Sequence, residues 1–308
     1  MTEQILSYCL LFIVGSMIGS FLNVVVYRTP VLLLAGFPEE EEPEAEIPHA
    51  LWVRLLWAGH YLWVDLGYSI AYLGHDFWQE LKVLLKGLSF PGSHCGHCQQ
   101  AIAWYDNLPI ISWFLLRGKC RNCKQSYSFR YPAIEALTGL LFVYLLWIKG
   151  PSPDLIWWLV LVSALWAMLW IDLDTQFIFN VMTYPSIFLG ILYNGSKGNL
   201  KWSLAGGLLA WCLFEAIVFL GIWLLQKEGM GGGDVKLAVL LGIWLGPARL
   251  MVALGLAFVT GSLVGLLLLA IYRQSRPFPF GPFLVLGGLA SLSVGDSLLS
   301  WYIDKSFW

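Results

Sequence analysis

The chain has 308 residues, 58% of them hydrophobic and only 12% charged. Soluble domains carry about 25% charged residues, so this composition describes an integral membrane protein. A net charge of −2 gives no basic surface for nucleic acid.

The first apolar run, Leu6–Val26, is too long for the core of a cleavable signal and has no basic stretch before it. It reads as a transmembrane helix over 5–27. A spanning helix needs about 20 mostly apolar residues, and further spans are expected near 132–149, 154–172, 176–194, 203–226, 234–247, 249–272 and 279–302. The 234–247 segment is short, ends at Gly246-Pro247, and reads as tilted or partly re-entrant. The expected fold class is an all-α polytopic membrane protein of eight transmembrane helices. Its expected division is a first helix at 1–27, a polar domain at 28–130, and a seven-helix bundle at 131–308.

Charge concentrates in residues 28–130, together with four of the six cysteines. The acidic stretch Glu39–Glu42, Glu44 and Glu46 reads as a solvated loop. Residues 51–88 mix apolar and aromatic side chains with Arg54, His60, Asp65, His75, Asp76, Lys82 and Lys86, a pattern that suits amphipathic helices lying on the membrane surface. With eight spans, thirteen of the eighteen Lys and Arg residues fall on one side, Arg28 and Arg130 among them. The positive-inside rule then makes residues 28–130 cytoplasmic.

Cys95-Gly-His-Cys98 and Cys120-Arg-Asn-Cys123 form two CxxC knuckles, 21 residues apart. Two such pairs supply four thiolates for one tetrahedral zinc. Two disulfides are the alternative, which a reducing cytoplasm disfavours. Four thiolates leave no open position, so the metal is expected to be structural. His94 and His97 are alternative ligands but fit better outside the coordination sphere. Cys9 and Cys212 lie inside spans and read as packing residues.

Asp172 ends the run Leu155–Ile171, and Asp234 follows Gly229-Met230-Gly231-Gly232-Gly233. A carboxylate at a membrane boundary is costly unless paired, hydrated or used. Two spans separate them, so both ends fall on one face, where they suggest an acid/base pair. Helix capping alone is a sufficient account of either acid taken singly, or of Asp174. Glu215, in mid-span, reads as structurally hydrogen-bonded or protonated rather than catalytic.

The segment Gly229–Leu237 resembles the GxGD signature of membrane-embedded aspartyl proteases. The wider chain resembles the type IV prepilin peptidases. Gly19-Ser-Phe-Leu-Asn-Val-Val-Val-Tyr-Arg28-Thr-Pro30, both CxxC pairs, Trp104, Asn107, Pro109, Gly118-Lys119-Cys120, Arg130-Tyr131-Pro132 with Glu135, Ile171-Asp172-Leu-Asp-Thr-Gln176 and Pro279-Phe-Gly-Pro282 carry the likeness in order. The chain departs at Phe179-Asn180, where the family usually has Pro-Asp, at Gly232, often aromatic there, and in its long 31–94 insert.

The resemblance implies that Asp172 and Asp234 are the catalytic acids, with Asp174 as rival for the first. It implies a bacterial inner-membrane enzyme that cuts the basic leader from prepilins or pseudopilins at the cytoplasmic face, after a glycine. It also implies N-methylation of the new terminus from S-adenosylmethionine, for which Gly118, Lys119 and Glu135 are the candidate cofactor-binding residues. The rival functions are a non-catalytic membrane scaffold of a pilus or secretion system and a proton-coupled transporter. A serine enzyme lacks a Ser/Lys or Ser/His constellation to support it, and no internal repeat of the transporter kind is evident.

Overall fold

The computed structural model describes residues 2–34, 71–72, 76–225, 230–273 and 278–306. The acidic stretch 39–46 and most of the expected surface-helical segment 51–88 lie outside them. The described residues form nine α-helices: α1 Thr2–Leu34, α2 Asp76–Ser89, α3 Ile111–Leu115, α4 Arg130–Lys149, α5 Leu155–Thr175, α6 Asn180–Ser196, α7 Leu200–Leu220, α8 Gly232–Tyr272 and α9 Gly281–Ser306. A π-turn at Gly221–Leu225 extends α7, and no β-strand occurs among the described residues, only two isolated bridges. The residues group into two compact units, one within 1–36 and 82–167, the other within 37–81 and 168–308.

In the first unit α1 packs along α4 through small residues. A Cβ added to Gly15 would lie 2.8 Å from the Gly139 Cα, and one added to Gly19 would lie 2.8 Å from the Glu135 Cα. In lipid such close backbone approach is a main source of helix–helix attraction. At the end of this stripe the Asn23 amide donates to the Tyr131 carbonyl at 3.2 Å. The Gly19–Asn23 motif is thus the seam between α1 and α4. Pro132 lies in the first turn of α4, where a missing N–H breaks no helical bond.

Helix α1 does not stop at residue 27. It runs through Pro30 to Leu34, because tertiary contacts hold its last turns. The Arg28 guanidinium donates to the Gly87 carbonyl at 2.8 Å, Leu33 is buried, and the Leu32 side chain lies against Gly87. Helix α2 covers the last part of the 51–88 segment; its Leu84 is buried while Trp78, Val83 and Leu85 are exposed.

In the second unit α8 packs against α6, α7 and α9. At 41 residues it would be about 60 Å long if straight, twice the roughly 30 Å hydrocarbon core. It breaks instead at Gly246 (φ 73°), followed by Pro247. Pro247 has no N–H for the Ile243 carbonyl, four residues back. That carbonyl is taken up by the Ser203 hydroxyl at 2.7 Å and the Asn194 amide at 3.0 Å. The break thus leaves no orphaned acceptor, as an apolar solvent demands. Gly206 and Gly242 meet backbone to backbone at the α7–α8 crossing, with no room for a Cβ on either.

Among the described residues six helices are long and apolar enough to cross a membrane. The eight expected segments all lie on helices. The totals differ because 234–247 and 249–272 are the two arms of kinked α8, and 176–194 yields only the 17-residue α6.

Candidate active site and metal centre

The four knuckle cysteines come together in the first unit. Their sulfurs all lie within 4.8 Å of one another, and the Sγ atoms of Cys95 and Cys123 are 3.8 Å apart. Zn–S bonds of about 2.3 Å in a tetrahedron place sulfurs about 3.8 Å apart, so the cluster has the right size for such an ion. The two knuckles are built alike. Cys95 N–H donates to the Gln100 carbonyl and Cys120 N–H to the Gln125 carbonyl, both at 2.9 Å. Each loop closes on a left-handed residue directly after its second cysteine, Gln99 (φ 57°) and Lys124 (φ 58°). All the cysteines are free thiols, so the disulfide alternative finds no support. The Cys98 and His97 amides donate to the Cys95 sulfur and lower its pKa to about 6. His94 and His97 are exposed, and the His94 ring bonds the Gly92 carbonyl at 2.9 Å. Asp106 ties the second knuckle down through a fork with Arg121 at 2.7 and 2.5 Å, and this holds the Asp106 carboxyl below its usual range.

A cavity of about 520 Å³ lies in the same unit, a size common for small-molecule sites. Asn23, Tyr27, Trp113, Tyr127, Tyr131 and Glu135 are among its lining residues. Glu135 is 9% exposed, and its carboxylate accepts the Ile110 N–H at 2.7 Å. The structure separates the three candidate cofactor residues. Glu135 lines the cavity, whereas Gly118 and Lys119 do not. Gly118 (φ 66°) lies under the Trp113 ring, 2.9 Å from where its Cβ would be, and its N–H donates to the Trp113 carbonyl at 2.8 Å. Lys119 is exposed and bridges Ser126.

The aspartates belong to the second unit. Asp172 lies in the last turn of α5 and is 4% exposed, and its Oδ2 is buried with no hydrogen-bond partner among the described residues. Asp234 lies in the first turn of α8, close enough to Asp172 for the two carboxyls to interact electrostatically. Asp174, the rival, is exposed. Gln176 (φ 57°) ends α5 and turns the chain so that Ile178 packs on Gly233. Lys236 does not pair with the carboxyls; its ammonium lies 6.0 Å from the Tyr184 ring centre. Glu215 is buried in α7 and has an interaction partner. Cys9 and Cys212 are exposed on their helices rather than packed inside.

Sequence reasoning quoted Gly281, the first residue of α9, only within the Pro279–Pro282 motif and gave it no role at the site. Its backbone N–H faces the Asp172 carboxyl, and an added Cβ would lie 2.5 Å from Oδ2. Its signal was a glycine between Phe280 and Pro282 at an expected helix start.

Fold and sites together define a polytopic helical membrane protein with a carboxyl pair in its helical bundle and a four-thiol module between its first two spans. The bacterial peptidase A24 N-terminal domain matches residues 13–149, and the type IV leader peptidase family matches residues 159–266. The prepilin leader peptidase/N-methyltransferase of Aeromonas salmonicida is 35% identical over 97% of this chain and 94% of its own length. The protein of the same name from Neisseria gonorrhoeae is 34% identical over 94% of this chain and 93% of its own. The chain belongs to the type IV leader peptidase family. No solved structure gives a significant match.

Proposed function

We propose that this chain is an aspartyl endopeptidase of the bacterial inner membrane. It removes the basic leader from type IV prepilins or type II secretion pseudopilins and N-methylates the new terminus. The observation that carries the proteolytic reading is the buried Asp172 carboxyl, whose Oδ2 has no hydrogen-bond partner among the described residues, set beside Asp234. A structural acid in lipid would be expected to have its oxygens satisfied. Two neighbouring carboxyls hold one proton between them. One carboxylate takes a proton from the attacking water while the other, protonated, gives its proton to the carbonyl oxygen; as the tetrahedral intermediate collapses, the first passes the proton it took from water to the leaving amine and the second recovers a proton from the gem-diol. The pair titrates as a unit.

Cys95, Cys98, Cys120 and Cys123 hold a structural zinc that braces a module with little apolar core of its own. Residues 28–130 are cytoplasmic, so the leader is met on that face. For methyl transfer the cavity beside α4 is the binding site. Glu135 presents a carboxylate there, suited to a cationic or amine group. Gly118 shapes the wall through Trp113, and Lys119 flanks it. S-adenosylmethionine, when bound, supplies the methyl group. The domain division is a first transmembrane helix at 1–27, the zinc-bearing region at 28–130, and the membrane bundle at 131–308 that carries the aspartates.

The test is incubation of purified protein with a prepilin, with and without S-adenosylmethionine, reading product mass. Leader loss alone without the donor, and leader loss plus one methyl with it, supports the reading. An unchanged prepilin contradicts it and favours the scaffold.

A further inference from the structure

We propose that Gly281 is a positioning residue for Asp172: the bare start of α9 forms a slot that fixes the carboxyl opposite Asp234. The proposal rests on reading Asp172 as one of the two catalytic acids.

The geometry is specific. At the start of α9, Pro282 has no N–H, and the N–H groups of Phe283 and Leu284 turn to the Phe280 carbonyl at 3.0 and 3.3 Å. Among the first four residues of α9 this leaves the Gly281 N–H to face outward, and it faces the Asp172 carboxyl. Helix N-termini favour negative charge, so the slot suits a carboxylate. A Cβ at 281 would lie 2.5 Å from Asp172 Oδ2, 3.1 Å from its Cγ and 3.3 Å from Ile178 Cδ1. The start of α9 is itself anchored. Phe280 packs on Phe258 of α8 with ring centres 5.2 Å apart, and against Gly261, where a Cβ would lie 3.1 Å away. Ile178 completes the frame: its side chain lies 3.1 Å from a Cβ added at Gly233, next to Asp234, and 3.3 Å from one added at Gly281. Asp172, Gly281, Ile178 and Gly233 thus lie in one closely spaced row that leads to Asp234.

Alanine at 281 meets the far end of a flexible side chain, so the carboxyl yields and the helix stays. A displacement of about 1 Å can cost roughly 100-fold in rate. The experiment compares wild type, Gly281→Ala, Asp172→Ala and the double variant as purified full-length proteins. It measures prepilin cleavage and detergent melting. Gly281→Ala is expected to lower kcat by roughly 10- to 100-fold, with KM within about twofold. Any melting loss caused by Gly281→Ala should vanish in the Asp172→Ala background, because the partner of the clash is gone.

An unchanged kcat, or a loss confined to KM, overturns the proposal. So does a melting loss equal in both backgrounds, which would make Gly281 a packing residue; this arm decides even if Gly281→Ala is inactive. Failure of the underlying reading is distinguishable, because Asp172→Ala itself would then still cleave.

Discussion

Replacing Gly118 by alanine tests how the cysteine module is held. Gly118 is left-handed at φ 66°, and its Cβ position is 2.9 Å from Trp113 Cζ2 and 3.0 Å from Cε2. A left-handed alanine costs about 1–2 kcal/mol. Moving the half-buried Trp113 ring adds about 1 kcal/mol, the low end for overpacking. The sum is about 2–3 kcal/mol. Gly118 directly precedes the Lys119-Cys120 knuckle, and its carbonyl accepts the Tyr127 N–H at 2.9 Å. The cost therefore falls on the metal-binding form. Since metal affinity and module folding are one equilibrium, zinc retention should weaken by roughly 30- to 150-fold at about 1.4 kcal/mol per decade. The assay is chelator competition on detergent-purified protein, following released zinc. Gly96→Ala is the control, since nothing lies within 4 Å of its Cβ position. Zinc retention by Gly118→Ala equal to that of wild type would refute the reasoning.

Elemental analysis should find about one zinc per chain, the tetrathiolate expectation, and Cys95→Ser should lower that content while a metal-free preparation should lose order in the module. Gly206→Leu should prevent stable assembly of the bundle, seen as loss of folded protein after detergent extraction, because Gly242 backbone occupies the space. Gly255→Leu on the exposed, uncrowded side of α8 should be recovered at wild-type level.

The features legible in the sequence were those written as runs or repeats. Apolar length marked every spanning segment, since the bilayer sets it directly. The paired CxxC spacing marked the thiol cluster because a tetrahedron of sulfurs needs little else. The choice of Asp172 over Asp174 came from resemblance; that Asp172 is buried and Asp174 exposed could not be read from two acids two residues apart. What stayed hidden depends on contacts distant in sequence. Nothing in Gly246-Pro247 says that Asn194 and Ser203 take the Ile243 carbonyl. The expected first helix ends at residue 27, but contacts of Arg28 and Leu33 carry α1 through Pro30 to Leu34. Cys9 and Cys212 read as core because, in a membrane bundle, the lipid face is as apolar as the interior. Gly118 was expected at a cofactor site and Gly281 only as part of the Pro279–Pro282 motif, and only the side chains they abut, Trp113 and Asp172, reveal what each allows.

The most direct measurement is prepilin cleavage by Asp172→Asn, Asp234→Asn and Asp174→Asn at equal enzyme level in membranes, read as product mass. The account predicts no mature product from the first two and near-normal cleavage by Asp174→Asn, whose side chain is exposed. Substantial cleavage by either Asp172→Asn or Asp234→Asn would contradict the pair, and a dead Asp174→Asn beside an active Asp172→Asn would move the first acid two residues along the chain.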